Sequence, residues 1–302
     1  MTHAALLAVP RIPVGQWASD GIDWLTLHAG GVFDAISTVM STLVHTLSNG
    51  LLAMPVPVGI AVFVLLAWVV RSARFALATL VALLLLVGMA QWDNAMLTLA
   101  LVLIATLTAI IIAVPIGILA ARSSTVSAIV RPVLDFMQTM PAFVYLIPAV
   151  TFFSIGVVPG LISTIIFALP PGVRLTELGI RQVPEETVEA GHAFGASPRQ
   201  ILFGIQLPLA VPTIMAGINQ VIMLALSMAV IAGMVGADGL GKVVVSSIST
   251  LDIAQGVEAG LAVVIVAIYL DRLTGALGDK TLRRGSLLAQ VQRRRRRTVL
   301  AA

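Results

Sequence analysis

Residues 51–70 read LLAMPVPVGIAVFVLLAWVV, a run without a single charge that stops against Arg71 and Arg74. A helix needs about 20 apolar residues to cross a hydrocarbon core of about 30 Å, and this run supplies them. The whole chain has the same character. Of its 302 residues 59% are hydrophobic and only 11% charged, with a mean hydropathy of +1.04. A soluble domain of this size needs far more charge to cover its surface. These numbers exclude a soluble enzyme and point to an all-α integral membrane protein.

Six more apolar runs follow: Phe75–Gln91, Asn94–Ala121, Arg131–Ile155, Val158–Val173, Leu207–Val235 and Val257–Leu273. Together they predict seven transmembrane helices. With the N-terminus outside, 16 of the 18 basic residues fall on the cytoplasmic side, leaving Arg11 and Lys242 outside. Cytoplasmic loops carry the excess of Lys and Arg, so the expected topology is N-out, C-in. Residues 21–48 differ. Leu25, Val32, Ile36, Met40, Leu43 and Leu47 recur at helical spacing, but Asp20, Asp23 and Asp34 oppose a crossing. An amphipathic helix in the outer interface and a helix packed on the bundle both fit.

Several classes of chemistry have no foothold. Cysteine is absent, so there is no disulfide framework and no thiolate metal site. His3, His28, His45 and His192 are scattered, with no metal-ligand spacing and no catalytic set. No catalytic residue, metal site or cofactor of this chain's own is expected. The pI is near 10.3, yet five of the basic residues form one run, Arg293–Arg297, in the C-terminal tail. A basic tail beside a membrane meets anionic lipid, so nucleic acid is not an expected partner. Gly236-Ala-Asp-Gly-Leu-Gly-Lys242 spells the frame of a phosphate-binding loop. Val243 stands where a Ser or Thr hydroxyl would hold Mg²⁺, and a transmembrane helix precedes the frame where a strand is needed.

The most informative segment is the longest cytoplasmic connection, 174–206. Pro184-Glu185-Glu186 marks a helix start, Gly195 a stop, and Ser197-Pro198 a second start. A short helix held between two spans suits a transporter that takes force from a soluble motor. Glu189-Ala190-Gly191, three residues, Gly195, nine residues, then Ile205-Gln206-Leu207-Pro208 resembles the "EAA" signature of bacterial importer permeases. Gly191 replaces the second alanine, keeping a small residue. The stretches 134–146, 165–176, 195–200, 212–220 and 271–274 are similar to glycine betaine/proline betaine permeases. The likeness is dense over 93–275 and loose over 21–92.

That resemblance implies a five-helix type I ABC importer permease core in the bacterial cytoplasmic (inner) membrane. It implies a second permease chain, expected as a homodimer, and two cytoplasmic ATP-binding-cassette ATPase subunits that use ATP and Mg. A substrate-binding protein outside completes the set. Glu185, Glu189, Ala190, Gly191, Gly195, Ile205, Leu207 and Pro208 are the expected ATPase-coupling residues. For Glu185 and Glu189 a plain solvated helix face is the alternative. The expected division is an external or interfacial segment 1–50, two accessory spans 51–92, a permease core 93–275 and a basic tail 276–302.

Polar groups within spans are costly and need a reason. Asp135 reads either as a path residue or as the partner of Arg131, four residues away on one helix face. Asn219 and Gln220 read as path residues or as interhelical glue. Gln138, Phe143 and Tyr145 complete the candidate translocation path. A quaternary ammonium is recognised by aromatic faces, and only 5% of the chain is aromatic, which fits selectivity held in a separate binding protein. A permease for choline, carnitine or proline is the nearest alternative. An ion-coupled secondary carrier would show inverted repeats and a midplane charge relay, and neither is present. Gly195→Asp is expected to abolish transport-coupled ATPase activity while the protein still reaches the membrane, which vesicle ATPase assays beside immunoblots would check.

Overall fold

A computed structural model describes residues 12–278, which are helical and contain no strand. Arg11, Lys280 and the Arg293–Arg297 tail lie outside the described residues. The helices are α1 (Val14–Leu52), α2 (Val56–Val70), α3 (Ala73–Gly88), α4 (Trp92–Arg122) and α5 (Ser124–Thr139). Then come α6 (Leu146–Phe153), α7 (Val157–Arg181), α8 (Glu185–Ala193), α9 (Pro198–Ile201), α10 (Leu207–Met234), α11 (Leu240–Thr250) and α12 (Ile253–Gly278).

Five stretches are long and apolar enough to cross a membrane: α1, α4, α7, α9 continued through α10, and α12. The span expected over 131–155 is not one rod. It is the pair α5 and α6, with a 3₁₀ turn at Ala142–Tyr145, bent by 107°. Pro141 causes the break: it cannot donate to the helix ladder, and it holds Met140 in an extended conformation (φ −71°, ψ 133°). Proline also shortens the opening run. α1 continues to Leu52, Pro55 caps α2, and α2 keeps 15 residues. α3 has 16. At 1.5 Å per residue these two rise only about 22–24 Å.

Three helices form the centre. α4 and α7 run parallel and α10 runs against them. At one end Gly156 N–H donates to Val235 O (2.8 Å), and at the other Arg181 Nη2 donates to Ala120 O (2.8 Å). Small residues let α7 and α10 touch. A Cβ on Gly160 would fall 2.6 Å from Ala232 Cβ, and one on Gly217 would fall 2.9 Å from Leu175 Cβ. Close packing of this kind holds helices together where lipid is as apolar as the side chains. α12 packs on α10 with α2 and α3 outside it, joined through Tyr269, which donates to Phe63 O (3.2 Å).

α1 lies across one end of this bundle. Phe33 stacks on Phe152 at 4.4 Å, beside the Gly156 end. Leu52 leads into α2, whose Gly59 sits against Trp92 at the start of α4, again at that end. Phe33 and Leu52 are about 28 Å apart along a helix axis, so a crossing helix would place them at opposite ends. Val44 and Ser48 are buried on the bundle, whereas Trp17, Trp24 and Leu27 stay exposed. The helix is therefore packed on the bundle over its second half, with Trp17, Trp24 and Leu27 of its first half left uncovered.

α11 folds back across α10 so tightly that a Cβ on Gly241 would fall 2.0 Å from Ala229 O. Gly241→Ala is expected to lose about 1–3 kcal/mol, seen as a lower unfolding midpoint in detergent. Gly260, with nothing within 4 Å of an added Cβ, should tolerate Ala or gain slightly.

Candidate functional site

The short helix of the 174–206 connection is α8. Pro184 stands at its N-cap, Glu185 and Glu186 face its positive first turn, and His192 sits in its last turn. It ends where the chain turns through Gly195 at φ +77°, a region that costs an ordinary side chain energy and glycine none. Ala196 N–H closes the turn on Gly191 O (3.1 Å). α9 then begins with a reciprocal cap. Ser197 N–H donates to Gln200 Oε1 (2.7 Å), and Gln200 N–H returns to Ser197 Oγ (3.4 Å).

Gly191 is buried against Ile205, and an added Cβ would fall 2.7 Å from Ile205 Cδ1. α8 therefore rests on the segment that opens α10. Glu185, Glu189, Ala190 and Gly195 are exposed on the other side, Ile205 and Leu207 are half-buried, and Pro208 is exposed. Phe194 stands 93% exposed at the end of α8, and Phe203 is exposed nearby. Sequence reasoning passed over both, although an aromatic just before the turn glycine of a polar loop was a usable signal.

Between α9 and α10 the helix widens into a π turn at Leu202–Gln206, with Leu207 N–H donating to Leu202 O. Pro208 accounts for it: the ring cannot donate and crowds the carbonyl one turn earlier. Such turns mark functional irregularities in helices. The widened turn joins α8's support directly to the α10 span.

The same end of the bundle holds a charge cluster. The side chain of Glu177 is only 6% exposed and binds two arginines, Arg131 Nη2 at 3.0 Å and Arg181 Nε at 2.9 Å. Ser127 Oγ also donates to it (2.8 Å). Asp135 pairs with Arg174 of α7. The Arg131–Asp135 pairing weighed from the sequence is not formed, because the buried Glu177 draws Arg131 across to α7. An uncompensated buried carboxylate costs more than an exposed i, i+4 pair returns. Glu177 itself was missed: its partners Arg131 and Ser127 are 46 and 50 residues away in the chain, although Arg181, four residues on, was a usable signal. A cavity of about 280 Å³ opens among Arg131, Asp135, Arg174 and Arg181.

The other path candidates do not converge. Tyr145 is buried and its hydroxyl donates to Met137 O, while Gln138 and Phe143 are exposed. Asn219 lies on a different face of the α7–α10 pair. It donates to Asp271 Oδ1 (2.7 Å) and accepts from Thr274 Oγ1 (2.8 Å), tying α10 to α12. It also lines a cavity of about 620 Å³ with Pro208 and Met215. Gln220 is exposed, and with Met223, Ser227 and Met234 it makes an uncovered stripe along α10. That spacing is helical and was legible, but only the structure shows which stripe is left open.

The glycine-rich frame 236–242 is a packing device. Leu240 N–H, which a phosphate cradle would need, donates to Thr98 Oγ1 (2.8 Å). Lys242 is held by Asp238 (2.8 Å), whose carboxylate raises the lysine's pKa above its ordinary value. Among the described residues no group of three His, Cys, Asp or Glu side chains could hold a metal.

Residues 113–281 match the family described as "Binding-protein-dependent transport system inner membrane component". The chain belongs to that family. Its relatives include the glycine betaine/proline betaine transport system permease protein ProW of Escherichia coli, 51% identical over 91% of this chain and 78% of that one. The glycine betaine transport system permease protein OpuAB of Bacillus subtilis is 50% identical over 92% and 99%. The glycine betaine/carnitine transport permease protein GbuB of Listeria monocytogenes is 48% identical over 90% and 98%. Among solved structures, a chain of the inward-facing MetNI methionine ABC transporter aligns with a TM-score of 0.53 at 22% identity. It covers 63% of this chain and 93% of that one, a likeness of fold. This permease is thus a multi-pass membrane subunit of an ABC importer.

Glu177→Gln is expected to cost this permease about 1.5–3 kcal/mol, the range for hydrogen bonds to charged groups. Arg131→Gln, whose side chain is 60% exposed, should cost about 0–1 kcal/mol. Unfolding midpoints of the two variants in one detergent would check the order.

Proposed function

We propose that this permease carries glycine betaine and related quaternary-ammonium solutes inward, driven by ATP hydrolysed on a separate subunit. The observation that carries the mechanism is the exposure of α8. A short helix fixed to α9 and the π turn presents Glu185, Glu189 and Phe194 on a surface that none of the other described residues covers. An amphiphilic helix of that kind fits a groove on a partner, with a bulky aromatic as its anchor. The half-identity to relatives named for glycine betaine supports the substrate class.

In this reading α8 faces the cytoplasm, where two ATPase subunits dock on the α8 surfaces of two permease chains. Displacement of α8 passes through the π turn into α10 and through the close α7–α10 contact into α7. The open stripe Gln220, Met223, Ser227 and Met234 then faces its copy in the second chain, and the path runs between them. Thioethers and few charges suit a zwitterion whose quaternary ammonium cannot donate a conventional hydrogen bond and which must not bind tightly in passage. Substrate arrives from a binding protein at the opposite end, beside α1 and the Lys242 loop.

Cells lacking their own importers, given this permease with its neighbouring ATPase and binding protein, are expected to take up labelled glycine betaine under osmotic stress. Uptake should vanish with an ATPase-dead partner and fall at least tenfold, about 1.4 kcal/mol of lost coupling, in Phe194→Ala. ATP-dependent uptake of another solute with none of betaine would overturn the substrate class. Betaine uptake that survives the dead ATPase would overturn the mechanism.

A further inference from the structure

A groove of about 260 Å³ runs between α3 and α12 on the outside of the bundle, away from α8 and from the α10 stripe. Its walls are almost wholly apolar, with Phe75, Leu83 and Ile268 along them, and one end is closed by Arg71 and Arg272. That end is the one carrying α8, since Arg272 lies six residues before Gly278 of α12, which packs on Met215 near the start of α10.

The arginines are lightly engaged. Arg71 Nη1 donates to Arg272 O (3.0 Å), and its guanidinium lies 5.5 Å from the centre of the Phe75 ring. Among the described residues Arg71 has no carboxylate partner. Arg272 has only a loose contact, 3.6 Å, with its neighbour Asp271, whose other oxygen is taken by Asn219. Two cations therefore stand together, facing the mouth of an apolar slot.

Helix length sharpens the argument. α2 and α3 rise about 22–24 Å, against a hydrocarbon core of about 30 Å. Arg71, at the C-terminal cap of α2, is thereby drawn below the headgroup layer, where an unpaired guanidinium is costly. A phosphate pulled in beside it relieves that cost, and the chain attached to the phosphate has the slot to lie in. From Phe75 to Leu83 the slot follows about 12 Å of helix.

We propose that this groove is a binding site for one anionic glycerophospholipid. Its phosphate sits between Arg71 and Arg272, and one acyl chain lies along α3 and α12. The site clamps the accessory helices α2 and α3 to α12, at the end of the bundle that carries α8.

The test is native mass spectrometry of the full-length permease in detergent, with phosphatidylglycerol and phosphatidylcholine of identical acyl chains. The wild type should retain one phosphatidylglycerol in preference to phosphatidylcholine. Arg71→Gln with Arg272→Gln should lower that preference by about thirtyfold, as for two basic side chains at a membrane surface. Ala78→Trp, at an exposed position on the groove, should displace the lipid while leaving both arginines. Three outcomes would overturn the proposal. One is equal retention of the two lipids by the wild type. Another is a preference unchanged in the Ala78→Trp variant, which remains decisive should the double variant fail to fold. The third is an Ala78→Trp chain that keeps its lipid but loses dimer, which would assign the groove to a second copy of the chain.

Discussion

The contact between α7 and α10 is the constraint from which the rest of the molecule follows. Both helices carry glycine where they meet, so the backbones approach to a distance that no larger residue permits. In lipid no hydrophobic force favours helix contact over lipid contact, and only shape and close van der Waals packing do. α4 joins this pair on the α7 side, where Gly117 faces Thr176 and the Val173 carbonyl. α11 joins it on the α10 side through Gly241. The remaining described helices are arranged around these four.

Rigidity at the centre gives the α8 end its meaning. α8 is held by its seat on Ile205, a turn that only glycine adopts without strain, and a doubly bonded cap on α9. Between that seat and the α10 span lies the π turn forced by Pro208. α8 is thus joined to one spanning helix through a single irregular turn. Glu177 adds a second tie at this end. It ties Ser127 and Arg131 of α5 and Arg181 of α7 to one buried carboxylate, so α5 is fixed to α7. The bent pair α5–α6 runs from this cluster to the opposite end, where Phe152 meets α1.

The lipid groove belongs to the other half of the molecule. α2 and α3 are too short to match the membrane, and their attachment runs mainly through Tyr269 and its aromatic neighbours Phe63 and Phe75. A lipid held at Arg71 and Arg272 would couple this accessory layer to α12, and through Asn219, Asp271 and Thr274 to α10. The membrane would then bear directly on the helix that the π turn opens.

The sequence alone determined the membrane class, since charge-free runs of twenty residues leave few alternatives. It also determined the start and stop signals of α8 and α9, because proline, serine caps and a turn glycine act within a few residues of themselves. The likeness at 189–208 and over 93–275 carried the family. Only the tertiary structure decided that Asp135 answers Arg174 while Arg131 answers Glu177. Which charge finds which partner depends on how far each is buried, a property of packed helices. It likewise decided that the 131–155 run bends at Pro141, that α1 lies across one end of the bundle, and which stripe of α10 stays open. Periodicity marks a face on a helix but does not say what covers it, because the neighbour that covers it comes from a distant part of the chain.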